Sequence, residues 1–194
     1  VLRENLGVIE DEADRLDALI QDLLTASKLQ AQRGLEIHLG EVNLLQLAAR
    51  SVERFRTQTR NHTINVTIPA DFPLVQGDET RLLQVLDNLI GNAIKYSPSG
   101  GEIIVGGKFD ADSVTIYVQD QGVGLAEDDR SRVFERFFRV DGRLSRYAQG
   151  TGLGLYLSKA IVDAHNGHMD VISKPGKGSK FYFILPRYQT IEPD

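Results

Sequence analysis

Apolar residues in the first 33 positions recur every seven residues. They form two rows, Leu2, Ile9, Leu16 and Leu23 in one, and Leu6, Ala13 and Ile20 in the other. A sustained heptad pattern predicts a long helix that pairs with another helix along this seam. The partner helix would come from outside this stretch, or the apolar stripe would dock on the rest of the chain. Both interpretations stay open.

After Gly34 the spacing changes to that of an α/β domain. Alternating apolar residues predict strands at residues 35–39, 64–68, 103–105, 114–118, 169–172 and 181–185. The third and fourth of these form a hairpin that ends at Asp120. The last two form a closing hairpin with Gly176 and Gly178 in its turn.

Helical spacing predicts three helices in the same region. The first is capped by Asn43, the second is capped by Asp78 and runs to Tyr96, and the third covers residues 151–164. No long element is predicted between residues 121 and 150. We therefore expect a helix at 1–33, a compact domain at 34–188 and a short tail at 189–194.

The composition is that of a folded, mildly acidic domain. Of 194 residues, 41% are hydrophobic and 25% charged, with a net charge of −5, which argues against nucleic-acid binding. The absence of cysteine excludes disulfides, thiolate catalysis and Cys-ligated zinc. No apolar run approaches the roughly 18 residues needed to span a bilayer, so we expect a cytoplasmic domain without membrane contact. Because the chain begins at Val1 and its only methionine is Met169, we expect an excerpt from a longer protein, whose anchoring the sequence leaves open.

Four short segments carry the candidate chemistry: NLIGNAIKYS at 88–97, DQGVG at 120–124, FERFFR at 134–139 and GTGLGL at 150–155. The P-loop, nucleophile-elbow and H-E-x-x-H signatures are absent. In the first segment, Asn88 and Asn92 are four residues apart and share a helix face with Lys95. An asparagine oxygen can complete a Mg²⁺ shell whose other ligands are phosphates and waters. A polar surface helix would show the same pattern.

The second and fourth segments place glycines next to candidate ligand positions. Asp120 ends an apolar strand, and its carboxylate, an acceptor only, would suit the exocyclic amine of adenine. A simple turn is the alternative. Three glycines open the last predicted helix, where free N–H groups favour phosphate: Gly150, Gly152 and Gly154. Their spacing is not that of the dinucleotide-binding fingerprint.

The third segment lies in a basic stretch of an acidic protein. Residues 130–147 contain six arginines and two acids. Such a stretch suits a mobile lid over polyphosphate, although a solvated loop is the alternative. Phe134, Phe137 and Phe138 favour a segment anchored by aromatic packing.

In this order, the four segments closely resemble the N box, first glycine box, F box and second glycine box of the ATP-binding domain of sensor histidine kinases. The resemblance covers residues from about 35 to 186, and AHNGH at 164–168 adds a further family-like feature. It implies an α+β two-layer sandwich, the Bergerat-type ATP-binding fold, with a mixed, mostly antiparallel sheet and helices on one face. It also implies ATP and Mg²⁺ as cofactors beneath a flexible lid.

The resemblance assigns roles position by position. The catalytic residues would be Asn88, Asn92 and Lys95, with Asn92 as the Mg²⁺ ligand, Asn88 its neighbour and Lys95 a phosphate contact. Tyr96 would form a wall near adenine, and Asp120 would read the adenine amine. The remaining nucleotide-binding residues would be Gly122, Gly124, Arg139, Gly150, Thr151, Gly152, Leu153 and Gly154.

One substitution bears on the reaction. ATP-hydrolysing members of this superfamily have a glutamate four residues before the Mg²⁺-binding asparagine, whereas this chain has Asn88, which cannot take a proton from water. We therefore expect slow hydrolysis and transfer of the γ-phosphoryl group to another acceptor. Family members carry the phosphorylated histidine in an H-[ED]-x-x-[RT]-P segment, and no histidine here has that context: His38, His62, His165 and His168.

The helix at 1–33 resembles the second helix of the family's dimerising hairpin, with SKL at 27–29 leading into the ATP domain. The expected partners are therefore a phosphoacceptor helix, in the full-length chain or its dimer partner, and a response-regulator receiver domain. The fragment would bind ATP without phosphorylating itself. The alternatives are a non-enzymatic ATP-dependent regulatory module and an anti-sigma serine kinase, while Asn88 disfavours a gyrase-type ATPase. His165 and His168 are too few for a metal site.

Overall fold

The computed structural model describes residues 20, 23–27, 35–140 and 151–187. Its strands are β1 (Gly40–Val42), β2 (His62–Thr67), β3 (Val75–Gly77), β4 (Gly101–Phe109), β5 (Ser113–Gln119), β6 (His168–Ser173) and β7 (Ser179–Pro186). Its helices are α1 (Leu44–Arg56), α2 (Glu79–Lys95), α3 (Glu127–Arg132) and α4 (Gly154–Ala164).

In the described part of the chain, five strands form one sheet in the order β2-β4-β5-β7-β6. β2 and β4 are parallel, and the other neighbours are antiparallel. α1, α2 and α4 lie side by side, and their apolar residues share one core with alternate residues of the sheet, such as Ile116 and Phe183. The predicted α+β two-layer sandwich with a mixed, mostly antiparallel sheet is confirmed.

The two predicted helix caps are present. The side chain of Asn43 accepts a hydrogen bond from the Gln46 N–H, and that of Asp78 accepts one from the Arg81 N–H. Each satisfies an N–H group that the first helical turn leaves unpaired. α2 ends at Lys95, with Tyr96 as its C-cap, as predicted.

Several boundaries differ from the predictions. Residues 35–39 are not a strand; β1 follows them and pairs with β3, which was not predicted, in a separate antiparallel pair. Strands of three residues carry too little alternation to be recognised. The third helix begins at Gly154, not Thr151, and the glycine-containing stretch after β5 includes the six-residue α3.

Most of the predicted helix at 1–33 lies outside the described residues, as do residues 188–194. Residue 20 and residues 23–27 are helical. Ala26 is fully buried against Leu153 and Leu157 at the start of α4, whereas Leu23 and Leu24 are about half exposed. In the part of the chain that the structure describes, no helix is long and apolar enough to cross a membrane.

A buried polar network joins the loop before β1, the start of α2 and the end of α4. The Asp78 carboxylate accepts hydrogen bonds from the His38 N–H (3.0 Å) and the Arg81 N–H (3.0 Å). The Asp78 N–H donates to Nε2 of the fully buried His165 (2.8 Å), so His165 carries its proton on Nδ1, which donates to the Ile161 carbonyl. Burial acts to raise the pKa of Asp78, but the two N–H donors, together with the nearby Arg81 charge, outweigh it and hold the pKa below its ordinary value.

We expect Asp78→Ala to lower the free energy of unfolding at pH 7 by about 2–3 kcal/mol, because it removes a cap and leaves the His38 N–H unpaired. Asn43→Ala is the matched control, since it removes only an exposed cap and costs about 1 kcal/mol. Urea unfolding measures both variants.

The same experiment tests the lowered pKa. When the pKa of a carboxyl is lower in the folded than in the unfolded protein, its charge stabilises the fold. The stabilisation is complete above the unfolded-state pKa and is lost as the pH falls through the folded-state pKa. The gap between Asp78→Ala and the wild type should therefore narrow below about pH 3.8, the ordinary value. A loss no greater than that of Asn43→Ala at pH 7 would contradict the network's role.

Candidate active site

One continuous cleft lies between α2, the chain that follows β5, and the start of α4. Its inner part holds Asp120 among apolar side chains, namely Val123, Leu125, Val133, Phe138, Leu155 and Phe181. Its outer part is polar and is lined by Asp87, Asn88, Lys95, Thr151, Gly152 and Gly154. Asn92, Tyr96 and Arg139 border both parts. An apolar recess that continues into a polar one suits a ligand with a flat ring at one end and charge at the other.

Asp120 lies at the base of the inner part, directly after β5, and is only 6% exposed. Its Oδ1 accepts hydrogen bonds from the Gly122 N–H (2.7 Å) and the Ser179 N–H (3.2 Å). Both backbone donors fall on one oxygen, so neither of them occupies Oδ2. Burial raises the pKa of Asp120, and the two N–H donors, together with the Ser97 hydroxyl, only partly offset it.

The first glycine box is held by the turn between β6 and β7. The Gly176 N–H donates to the Val123 carbonyl (2.7 Å), and the Ser173 hydroxyl accepts from the Leu125 N–H (2.8 Å). A Cβ on Gly124 would strike the Lys174 carbonyl. These close approaches explain why a glycine-rich loop follows the strand.

The N box meets the first glycine box at the end of α2. The Tyr96 carbonyl accepts from the Val123 N–H (3.1 Å), and a Cβ on Gly122 would strike that carbonyl. Lys95 places its Nζ 5.1 Å from the centre of the Tyr96 ring. Burial raises the pKa of the Tyr96 hydroxyl, while the nearby Arg139 charge acts against the shift.

The two asparagines of the N box form a hydrogen-bonded chain. Asn92 Nδ2 donates to Asn88 Oδ1 (3.4 Å), and Asn88 Nδ2 donates to the Ser158 hydroxyl of α4 (2.9 Å). Since the Asn92 nitrogen points to Asn88, its Oδ1 is the atom that remains for a cation in the cleft. The described residues contain no cluster of three His, Asp or Glu side chains that could hold a metal alone. The arrangement fits Mg²⁺ that takes its other ligands from phosphates and water.

The second glycine box and the F box are in contact. Gly152 has φ +71° and lies against the backbone of Phe137 and Phe138. A Cβ added at this position would lie only 2.8 Å from the Phe138 carbonyl oxygen. The Phe137 N–H donates to the Gly152 carbonyl (3.0 Å). A Cβ on Gly154 would strike Oδ1 of Asn88, so the start of α4 lies directly on the N box.

The three aromatic residues of the F box differ in how they pack and in how exposed they are. Phe134 packs edge-on against Phe181 (6.3 Å between ring centres), and Phe138 lines the cleft with the Arg132 guanidinium 4.4 Å from its ring centre. Phe137 is 52% exposed and has φ 61°. The prediction that all three rings anchor the segment by packing is therefore wrong for Phe137. Residues 141–150, which include Gly150 and the rest of the expected lid, lie outside the described residues.

Among the described residues, no group of three His, Asp or Glu side chains that could hold a metal ion includes a histidine. Both ring nitrogens of His165 are hydrogen-bonded within the protein, and His168 begins the edge strand β6. His62 contacts Thr59 with Nδ1 and the Ser97 carbonyl with Nε2. His165 instead belongs to the buried network described above.

The four sequence segments therefore meet around one cleft. Asn88, Asn92, Lys95, Tyr96, Asp120, Gly124, Arg139, Thr151, Gly152 and Gly154 line it, and Gly122 supplies an N–H to Asp120. Leu153, predicted at the nucleotide, is fully buried beside Ala26 instead of lining the cleft. Sequence reasoning missed Ser158 and Ser179, which no local motif distinguishes from other serines.

A protein-family model described as histidine kinase-, DNA gyrase B-, and HSP90-like ATPase matches residues 77–189. The chain belongs to this family. It is 39% identical over 178 residues to the sensor-like histidine kinase SenX3 of Mycolicibacterium smegmatis. The aligned region covers 91% of this chain and 46% of SenX3. The sensor protein SrrB of Staphylococcus aureus is 35% identical over 96% of this chain and 32% of its own length. The chain thus spans less than half of these relatives.

A solved structure supports the same relationship within the family. Full-length ShkA in complex with AMPPNP has a TM-score of 0.80 and 29% identity, covering 97% of this chain and 39% of that one. The chain is therefore similar to the ATP-binding catalytic part of sensor histidine kinases, as its motifs predicted.

Gly176 and Gly178 offer a matched test of the support beneath Asp120. Both have positive φ, so alanine costs each about 1–2 kcal/mol in backbone strain. A Cβ on Gly176 meets nothing within 4 Å, whereas one on Gly178 strikes the Asp120 carbonyl. Urea unfolding should show Gly178→Ala to be the more destabilising by at least about 1 kcal/mol, because the backbone must move. Equal losses would show that the turn does not support Asp120.

Proposed function

We propose that this chain binds Mg²⁺ and ATP and transfers the γ-phosphoryl group to a histidine on a separate helix, for relay to a response regulator. The observation that carries the proposal is the cleft, with a buried carboxylate oxygen at its inner end and the Asn92 oxygen at its outer end. ShkA, a relative of similar fold, is described in complex with AMPPNP, an ATP analogue.

In this proposal the inner part of the cleft takes adenine. Asp120 Oδ2 accepts a hydrogen bond from the exocyclic amine, while the apolar walls, including Phe138 and Leu155, cover the ring faces. Guanine has a carbonyl in place of that amine and would leave two acceptors facing each other. The same carboxylate therefore supplies both binding and base selectivity.

The outer part takes the phosphates. Lys95 and Arg139 border it, and the start of α4 presents backbone N–H groups and the positive end of the helix dipole. Asn92 would hold Mg²⁺ through its Oδ1, and the bound ion would neutralise phosphate charge. Phosphoryl transfer depends mainly on positioning and on charge neutralisation. These residues would supply both by orienting the triphosphate, and they leave the γ-phosphate open to an acceptor.

Asn88 disfavours hydrolysis of ATP relative to phosphoryl transfer to another acceptor. Its carboxamide is engaged at both ends, with Ser158 and Asn92, and has no basic site for a proton. A water molecule beside the γ-phosphate would therefore lack a general base at this position. Phosphoryl transfer then awaits an imidazole, which is a nucleophile without deprotonation by the protein.

We infer that this imidazole belongs to another helix. His165 is fully buried, and the ring nitrogens of His62 contact Thr59 and Ser97. The helical residues 23–27 approach the start of α4 through Ala26, which brings a helix next to the outer part of the cleft. A partner helix paired along the exposed Leu23 and Leu24 would carry the acceptor histidine, within a homodimer of the full-length protein.

Calorimetric titration of Mg²⁺-ATP into the chain is the first test of the function. We expect saturable heat of binding and no sustained heat from turnover, because no acceptor histidine is present. A longer gene product that includes an H-[ED]-x-x-[RT]-P helix should incorporate the γ-phosphate in acid-labile form. Absence of binding, or sustained acceptor-free turnover, would contradict the proposal.

Asp120→Asn separates recognition from stability. The asparagine Oδ1 can still accept from the Gly122 and Ser179 N–H groups, but its Nδ2 replaces Oδ2 and faces the adenine amine donor to donor. We expect ATP affinity to fall at least about tenfold, from the cost of unpaired buried donors. Calorimetry measures the affinity.

The stability of this variant should move in the opposite direction. Since burial raises the folded pKa of Asp120, its charge opposes folding above that pKa, and the neutral side chain should leave the melting temperature at pH 7 unchanged or higher. Asp163→Asn, an equal charge change on the surface of α4, is the control and should leave affinity unchanged. A large loss of stability in Asp120→Asn without loss of affinity would contradict the assignment.

A further inference from the structure

Asn88 is held from α4 at two points one helical turn apart. Gly154 lies against its Oδ1, where any Cβ would collide, and Ser158 accepts a hydrogen bond from its Nδ2 at 2.9 Å. Ser158 is 2% exposed, so its hydroxyl is closed to water. The two contacts come from residues 66 and 70 positions further along the chain than Asn88.

The direction of this bond determines the direction of the next one. A serine within a helix commonly gives its own hydrogen to the carbonyl one turn earlier, which leaves its oxygen as an acceptor. With its Nδ2 on Ser158, Asn88 presents Oδ1 to Asn92, and Asn92 responds with its Nδ2. The oxygen of Asn92 is then the end of the amide that faces away from Asn88.

We propose that Ser158 is a positioning residue, which orients the Asn88 amide and thereby directs the Asn92 oxygen into the cleft. The inference rests on the proposed function, in which that oxygen holds Mg²⁺. Ser158 touches neither the nucleotide nor the cation, and it acts only through Asn88.

Loss of the hydroxyl has a specific consequence. Without an acceptor at position 158, the Asn88 amide satisfies its Nδ2 by turning it towards Asn92. Asn92 must then turn its own Oδ1 towards Asn88 and its Nδ2 towards the cleft. An N–H₂ group cannot ligate a cation, so the contribution of Mg²⁺ to nucleotide binding is lost while the adenine contacts remain.

The test is the Mg²⁺ dependence of nucleotide affinity in Ser158→Ala. The dissociation constant of ATP is measured by calorimetry once with excess MgCl₂ and once with EDTA, and the ratio of the two values is compared with the wild type. We expect the ratio to fall about tenfold, the usual effect of losing a group that orients a metal ligand. The dissociation constant in EDTA should stay within about twofold of the wild-type value.

Asn43→Ala is the control. Its side chain caps α1 and lines neither part of the cleft, so the variant loses stability without touching the two asparagines. It should lower the melting temperature without changing the ratio. If Ser158→Ala also lowers only the melting temperature, Ser158 is structural and the inference is overturned.

The outcomes separate the inference from the function beneath it. If the wild-type chain binds no ATP, or binds it equally in MgCl₂ and EDTA, the proposed function fails and the inference with it. If the wild type shows Mg²⁺-dependent binding and Ser158→Ala keeps the same ratio, only the inference fails.

Discussion

The Asp120 carboxylate is taken out of water and needs hydrogen-bond donors from the protein to remain there. Two backbone donors come from Gly122, in the adjacent loop, and from Ser179, at the start of β7. The second donor exists only because β5 and β7 pair with Gln119 opposite Lys180. A slip of one residue would turn the buried residues of β7 to the other face and remove this N–H. Core packing and the candidate site therefore depend on one strand register.

Close backbone approach is the second requirement around the cleft. Glycine is needed where a side chain would strike a neighbouring main chain, as at Gly122 against Tyr96 and at Gly178 against Asp120. At Gly154 the neighbour is a side chain, since a Cβ there would displace the Asn88 carboxamide. The glycine boxes thus serve contacts with the N box and the closing hairpin as well as a ligand.

Local signals in the sequence predicted much of this structure. The caps at Asn43 and Asp78, the two hairpins and the four motif segments all depend on residues within a few positions of one another. The β1–β3 pair and the Ser158 contact could not be predicted, because they join segments far apart and are too short to produce a period. The alternation at 35–39 was misleading, since apolar side chains can alternate where no strand lies alongside to pair with them.

The strand order also determines when the cleft can form during synthesis. Asp120 leaves the ribosome 59 residues before Ser179, and at about 5–20 residues per second the wait is about 3–12 s. Until β7 inserts between β5 and β6, the nascent chain has an unsatisfied carboxylate and an open sheet edge. A ligand that needs Asp120 can stabilise only chains made through Pro186, so mass action selects complete molecules over truncated ones.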